Sequence, residues 1–160
     1  MHCVRKITDD INLVGASDRR LALFENLYPI PEGVAYNAYI VEDDKTVLID
    51  TTDKSVVEQF KENIAYALNG RGLDYIIVNH MEPDHSATLE EIARTYPEAV
   101  IVCNAKISQM IKNYFALDMQ GRIKLVKEGD VLETGRHKFT FVMAPMVHWP
   151  EVMVTYDLYD

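Results

Sequence analysis

The sequence predicts a mixed α/β fold, and three observations carry that prediction. Up to Asp50 the chain reads as consecutive strands, with no clear helix. Its middle alternates helical spacing with short apolar runs. After residue 120, strand-like segments return, separated by turns. At 160 residues and 48% hydrophobic composition, the chain can build one domain around a real core.

The elements follow in order. Residues 11–16 read as a first strand. Residues 21–27 have no clear period, because Leu21, Leu23 and Phe24 alternate poorly. Pro29, Pro31 and Gly33 mark a turn. Residues 34–42 alternate and are rich in Val, Ile and Tyr, as a strand should be. Asp43-Asp44-Lys45 suits a hairpin turn, with residues 46–50 as the returning strand. This succession suits an antiparallel start to a sheet.

A helix is predicted over 54–68. Val57, Phe60, Ile64, Ala67 and Leu68 keep helical spacing, Asp53 can cap the start, and Gly70 follows the end. Residues 73–78 form an apolar strand. A shorter helix over 87–96 puts Leu89, Ile92, Ala93 and Tyr96 on one face and stops before Pro97. The continuous apolar run 99–103 reads as a central strand. Asn104 can cap a helix over 105–115, whose stripe of Ile107, Met110, Ile111, Tyr114 and Phe115 is expected in the core. Residues 123–126, 131–132, 138–143 and 152–156 complete the strands. Gly129-Asp130 and Gly135 mark turns between them.

Composition narrows the function classes. A formal charge of −9 disfavours nucleic acid and anionic membrane surfaces as partners. No apolar run approaches the ~20 residues that span a bilayer. The first ten residues lack the apolar stretch of a signal peptide. Cys3 and Cys103 have no metal-type spacing, and Cys103 sits in an apolar run as a small core residue. A reducing cytoplasm is the expected setting.

The chemistry concentrates in residues 79–86, Asn-His-Met-Glu-Pro-Asp-His-Ser. His80, Glu82, Asp84 and His85 are all potential metal ligands at the C-terminal end of a buried strand, where α/β proteins place their sites. In extended chain, i and i+2 project to one side, so His80 and Glu82 can reach one metal together. Pro83 biases Glu82 away from helix and bends the backbone there. Beyond the bend, Asp84 and His85 can face a second metal. One metal needs three or four protein ligands, so this density suggests two. The plainer alternative is a solvated turn with Ser86 as a helix N-cap. Asp50 reads equally as a strand-end turn acid or as an acid orienting a ligand histidine. His2 and His137 have no acids nearby in sequence and are expected to be exposed.

His-x-Glu-x-Asp-His resembles the diiron motif of flavodiiron proteins, nitric oxide and dioxygen reductases built on a metallo-β-lactamase-like domain. Hydrolases of that superfamily carry His at the position of Glu82. A carboxylate is a harder donor than imidazole and favours iron over a zinc hydrolase site. Tyr36-Asn37-Ala38-Tyr39, Leu48-Ile49-Asp50-Thr51 and His148-Trp149-Pro150-Glu151 are similar to further family landmarks, in order.

The resemblance implies an αββα sandwich, with residues 1–160 forming its N-terminal portion. It implies two non-haem irons, one held by His80, Glu82 and His148, the other by Asp84 and His85. Some members leave the imidazole at the position of His85 unbound. Trp149 would wall the pocket or simply pack. A bridging aspartate and a further histidine would lie past Asp160. FMN would belong to a flavodoxin-like module that nothing here resembles. Expected partners are the remainder of the enzyme or a second copy, in the family's head-to-tail dimer, and a rubredoxin-type or flavin electron donor. A domain ending at this point would leave apolar residues of 131–143 and 152–154 without partners. Two other readings stay open: a non-catalytic fragment with an incomplete site, and a glyoxalase-II-like metallohydrolase, against which Glu82 counts.

Overall fold

A computed structural model describes residues 1–24, 26–116 and 121–159. The strands up to the first helix are β1 (Arg5–Lys6), β2 (Ile11–Leu13), β3 (Ala16–Asp18), β4 (Leu23–Phe24), β5 (Tyr28–Pro29), β6 (Val34–Tyr36), β7 (Tyr39–Glu42) and β8 (Thr46–Ile49). A 3₁₀ turn, Lys54–Val56, leads into α1 (Val57–Leu68). Then come β9 (Tyr75–Ile77), α2 (Pro83–Ser86), α3 (Leu89–Thr95), β10 (Val100–Cys103), α4 (Ala105–Tyr114), β11 (Ile123–Leu125), β12 (Val131–Glu133), β13 (Lys138–Met143) and β14 (Met153–Asp157).

The main sheet has the order β1-β2-β7-β8-β9-β10-β11. Pairing is antiparallel up to β8 and parallel from β8 to β11. The switch follows from the connections. The turn at 43–45 can return the chain only antiparallel, whereas α1, α3 and α4 each carry it across to start a parallel neighbour. β9 and β10 lie inside the sheet, and consecutive residues Ile76-Ile77 and Ile101-Val102-Cys103 are buried, so both faces are covered and the strands read as continuous apolar runs.

Two predicted strands are each broken in two. Residues 11–16 leave the main sheet after Leu13 and return as β3. Residues 34–42 divide into β6 and β7. The breaks face each other: the N–H groups of Val14 and Gly15 both donate to the Ala38 carbonyl, at 2.8 and 3.2 Å. Two residues opposing one is a bulge, and the paired strands bend together there. Gly15 is required at the bend, since a Cβ would stand 1.9 Å from the Tyr36 carbonyl oxygen. The β3–β6 pair forms its own two-stranded sheet, as does β4–β5, in which Leu23 and Phe24 of the aperiodic segment 21–27 pair with Pro29 and Tyr28; residue 25 lies outside the described residues.

The helices match their signals closely. Asp53 caps the turn before α1 by accepting from the Ser55 N–H, and Asn69 ends α1 in the left-handed region with Gly70 after it. The Asn104 side chain accepts from the Ile107 N–H. Ile107 and Ile111 are buried as expected, but Tyr114 is exposed. The helix predicted over 87–96 differs at its start: one turn, α2, precedes it, and α3 begins at Leu89.

β12, β13 and β14 form a separate antiparallel sheet. Leu132, Phe139, Phe141 and Met153 enter the same core as the main sheet. Val131, Val142, Val154 and Tyr156 are exposed. The two sheets are tied near the ligand loop, where the Met153 N–H donates to the Asn79 carbonyl at 3.0 Å and Thr155 Oγ1 to Asn79 Oδ1 at 2.7 Å. No helix among the described residues is long and apolar enough to cross a membrane.

Candidate metal centre

The ligand loop leaves the end of β9. Val78 is still held in the sheet by its N–H bond to the Val102 carbonyl, at 3.0 Å. Glu82 is extended (φ −59°, ψ 143°) and Pro83 opens α2 at its first position, so the bend falls where the proline predicts it. Ser86 does not act as an N-cap. Its hydroxyl is buried and donates back to the carbonyls of Met81 and Glu82, at 2.8 and 3.0 Å. That shared hydrogen bond closes the loop on itself.

His80 and Glu82 do project together, with Nε2 and Oε2 3.0 Å apart. His148 joins them from the loop after β13. Its Nε2 lies 2.7 Å from Glu82 Oε2 and 3.2 Å from His80 Nε2. The loop between its flanking prolines is irregular, with Met146 at φ 68° and its N–H donating to the Trp149 carbonyl. His80 and Glu82 are buried, while the His148 side chain is 63% exposed. The cluster is therefore closed on one side and open at His148. Trp149 stands edge-on to the His80 ring, centroids 5.3 Å apart, and forms a wall.

Asp84 and His85 sit beside this cluster. His85 Nε2 is 3.6 Å from Asp84 Oδ2, and its ring centroid is 5.4 Å from that of His80. Asp84 Oδ1 is buried without a hydrogen-bond partner. Burial pushes the Asp84 carboxyl above its ordinary range. The Asp50 carboxylate beside its Nδ1, at 3.4 Å, outweighs burial and raises His85. Asp50 has features of both readings given for it. It ends its strand in the left-handed region at φ 56°, and it faces the ligand loop. Its Oδ1 accepts from the Asn79 N–H at 2.7 Å, and Oδ2 lies 3.4 Å from His85 Nδ1. A cleft of about 210 Å³ opens beside Glu82 and Asp84, walled by Leu21, Leu23, Phe24 and Tyr36.

Two residues escaped sequence reading. Glu151, named only as part of a landmark, is buried with Oε1 2.8 Å from His80 Nδ1. An acid just after His148-Trp149-Pro150 was the available signal. His137 is the second, and the expectation for it is overturned. It is fully buried, between Asp157 at 2.5 Å and Asp10 at 3.2 Å. Asp10 is far from it in sequence, and packing of the two sheets brings them together. His2 is exposed, stacked on Tyr66.

The model for the family described as "ODP family beta lactamase" matches residues 34–159. An anaerobic nitric oxide reductase flavorubredoxin from Vibrio vulnificus is 35% identical over 94% of this chain, which spans 31% of that protein. A variant of the flavo di-iron protein from Thermotoga maritima superposes with TM-score 0.88 at 32% identity, over 97% of this chain and 39% of that one. A rubredoxin oxygen:oxidoreductase from Desulfovibrio gigas superposes with TM-score 0.89 at 31% identity, over 97% and 38%. The chain thus has the metallo-β-lactamase-like fold of flavodiiron cores and spans about a third of the length of the curated relatives it matches.

Proposed function

Because this chain belongs to the ODP family of beta lactamases, we propose that its ligand loop holds two iron ions in a site that reduces nitric oxide to nitrous oxide, dioxygen to water, or both. His80, Glu82 and His148 take the first ion, and Asp84 and His85 the second. One observation carries the reading: His80 Nε2, Glu82 Oε2 and His148 Nε2 lie within 3.2 Å of one another.

The donors fit such a group. Metal–ligand bonds of about 2.0–2.2 Å put neighbouring donor atoms roughly 3 Å apart. The three contacts here are 2.7, 3.0 and 3.2 Å. Carboxylate mixed with imidazole suits iron. The buried, unpartnered Asp84 Oδ1 supports a cation at the second position.

Two irons held by these residues would supply the electrons for reducing a small diatomic substrate. The chain's own residues bind, orient and shield. His80 is backed by Glu151, Trp149 closes one wall, and exposed His148 marks the mouth. The cleft beside Asp84, with Leu21, Leu23, Phe24 and Tyr36 around it, offers an apolar approach for an uncharged diatomic. Relatives named for nitric oxide reduction and for oxygen oxidoreduction support both substrates. FMN on a flavodoxin-like module would supply the electrons, with a rubredoxin-type or flavin donor behind it. The domain works with the remainder of the enzyme or a second copy.

Anaerobic Fe(II) titration of the chain tests the reading. Two irons per chain are expected, with His148→Ala weakening one of them. No iron uptake would point to a non-catalytic domain. Zinc uptake with esterase activity would point to a hydrolase.

A further inference from the structure

Glu151 is an acid of this site with no part in the ligand set. Its side chain is 0% exposed. Oε1 accepts from the Met81 N–H at 3.1 Å and lies 2.8 Å from His80 Nδ1. Oε2 is buried with no hydrogen-bond partner. A carboxylate oxygen that already accepts from a backbone N–H favours a ring proton on Nδ1, which leaves Nε2 to a metal; Glu82 Oε2, 3.0 Å from Nε2, is the competing acceptor when no metal is bound. Nε2 is the atom facing Glu82 and His148.

We infer that Glu151 is a positioning residue, which holds His80 in the Nδ1–H tautomer with Nε2 presented to a metal. The inference rests on the metal reading given above. Its physical basis is the general pairing of a ligand imidazole with an acceptor behind it.

Three further observations support it. First, the backbone of Glu151 is itself clamped. Asn104 Nδ2 donates to the Glu151 carbonyl at 2.6 Å while Asn104 Oδ1 caps α4, and Lys106 Nζ reaches the Pro150 carbonyl at 3.1 Å. The acid is set by the start of a helix. Second, a carboxylate this buried is costly without a positive partner. A cation bound at Nε2 would make the His80 ring that partner. Third, Asp50 offers His85 a similar arrangement, with one oxygen on a backbone N–H of the ligand loop and the other near Nδ1. Two acids from different parts of the chain thus back two imidazoles of one loop.

A merely structural Glu151 would need only to accept from Met81. Histidine ¹⁵N–¹H correlation on the metal-free chain separates the two roles, and anaerobic Fe(II) titration reads the consequence. The parent should show a proton on His80 Nδ1. Glu151→Gln keeps an acceptor, so the tautomer should persist while Fe(II) binding weakens several-fold. Glu151→Leu should mix the tautomers and weaken Fe(II) binding about 10–100-fold. A parental tautomer in folded Glu151→Leu, or parental Fe(II) affinity in either variant, overturns the inference. If Glu151→Leu does not fold, the affinity of Glu151→Gln decides. A parent that binds no Fe(II), but whose His80 tautomer responds to Glu151→Leu, defeats the metal reading and upholds the hold of Glu151 on the ring.

Discussion

His137 Nδ1 and Asp157 Oδ2 lie 2.5 Å apart at the seam between the two sheets. His137 sits at the turn into β13, and Asp157 ends β14. The other ring nitrogen is 3.2 Å from Asp10 Oδ2, in the loop before β2. The His137 N–H donates to Asp43, at the β7–β8 turn, and Arg136 reaches Asp10. Tyr159 and Phe139 cover the ring. One imidazole thus joins acids from both sheets.

Stability should respond to pH through this residue. Burial pushes the His137 pKa down, but the bonds to Asp157 and Asp10 outweigh it, and the net shift is upward. A raised folded value means the protonated ring stabilises the fold fully below the unfolded pKa of about 6.5. That contribution is lost as pH rises through the folded value. Urea midpoints measured upward from pH ~6 should therefore fall in the parent and flatten in His137→Gln. Removing one partner of so buried a pair should also cost about 3–5 kcal/mol. Parallel pH profiles for parent and variant would refute the assignment.

The bend at Gly15 should be intolerant of any side chain. A Cβ there meets the Tyr36 backbone, which cannot swing aside. Gly15→Ala should cost about 1–3 kcal/mol or more, as overpacking does. Gly129, at φ 76° with nothing within 4 Å, is the contrast. Gly129→Ala should cost only the left-handed penalty of about 1–2 kcal/mol. Chemical denaturation of both variants compares them, and a harmless Gly15→Ala would mean the bend is not built as described.

Asn63 anchors the bend from α1. Its Nδ2 donates to the carbonyls of Val14 and Gly15 at 2.8 and 2.9 Å, and Oδ1 accepts from the Cys3 N–H at 2.7 Å. It is fully buried. Asn63→Ala leaves buried backbone groups unpaired, each worth about 1–3 kcal/mol. A loss of at least ~2 kcal/mol, with faster amide exchange at Cys3, is the expected outcome. Unchanged stability would show that water replaces the side chain.

Glu82→His should move metal preference from iron toward zinc, since imidazole suits zinc at least as well as iron. Metal content after growth in one medium reads this. The same iron-to-zinc ratio in variant and parent would count against Glu82 as the selecting ligand.

Much of this protein was legible locally. Helical spacing and the Asn104 cap located α4 nearly to the residue, because a helix makes its bonds within its own segment. The i, i+2 relation of His80 and Glu82, with Pro83 after them, determined which two ligands meet, since extended chain repeats its side every second residue. Tertiary structure decided the rest. The break after Leu13 answers a carbonyl at Ala38, so no window of neighbouring residues contains its cause. His137 looked exposed because its acids are remote in sequence, and pairing of β13 with β14 and packing of the two sheets bring them together. Glu151 became a partner of His80 for the same reason. A sequence states which groups are polar and how each segment turns its faces. Which polar groups are buried opposite one another depends on strand pairings that join distant segments, and those exist only in the folded chain.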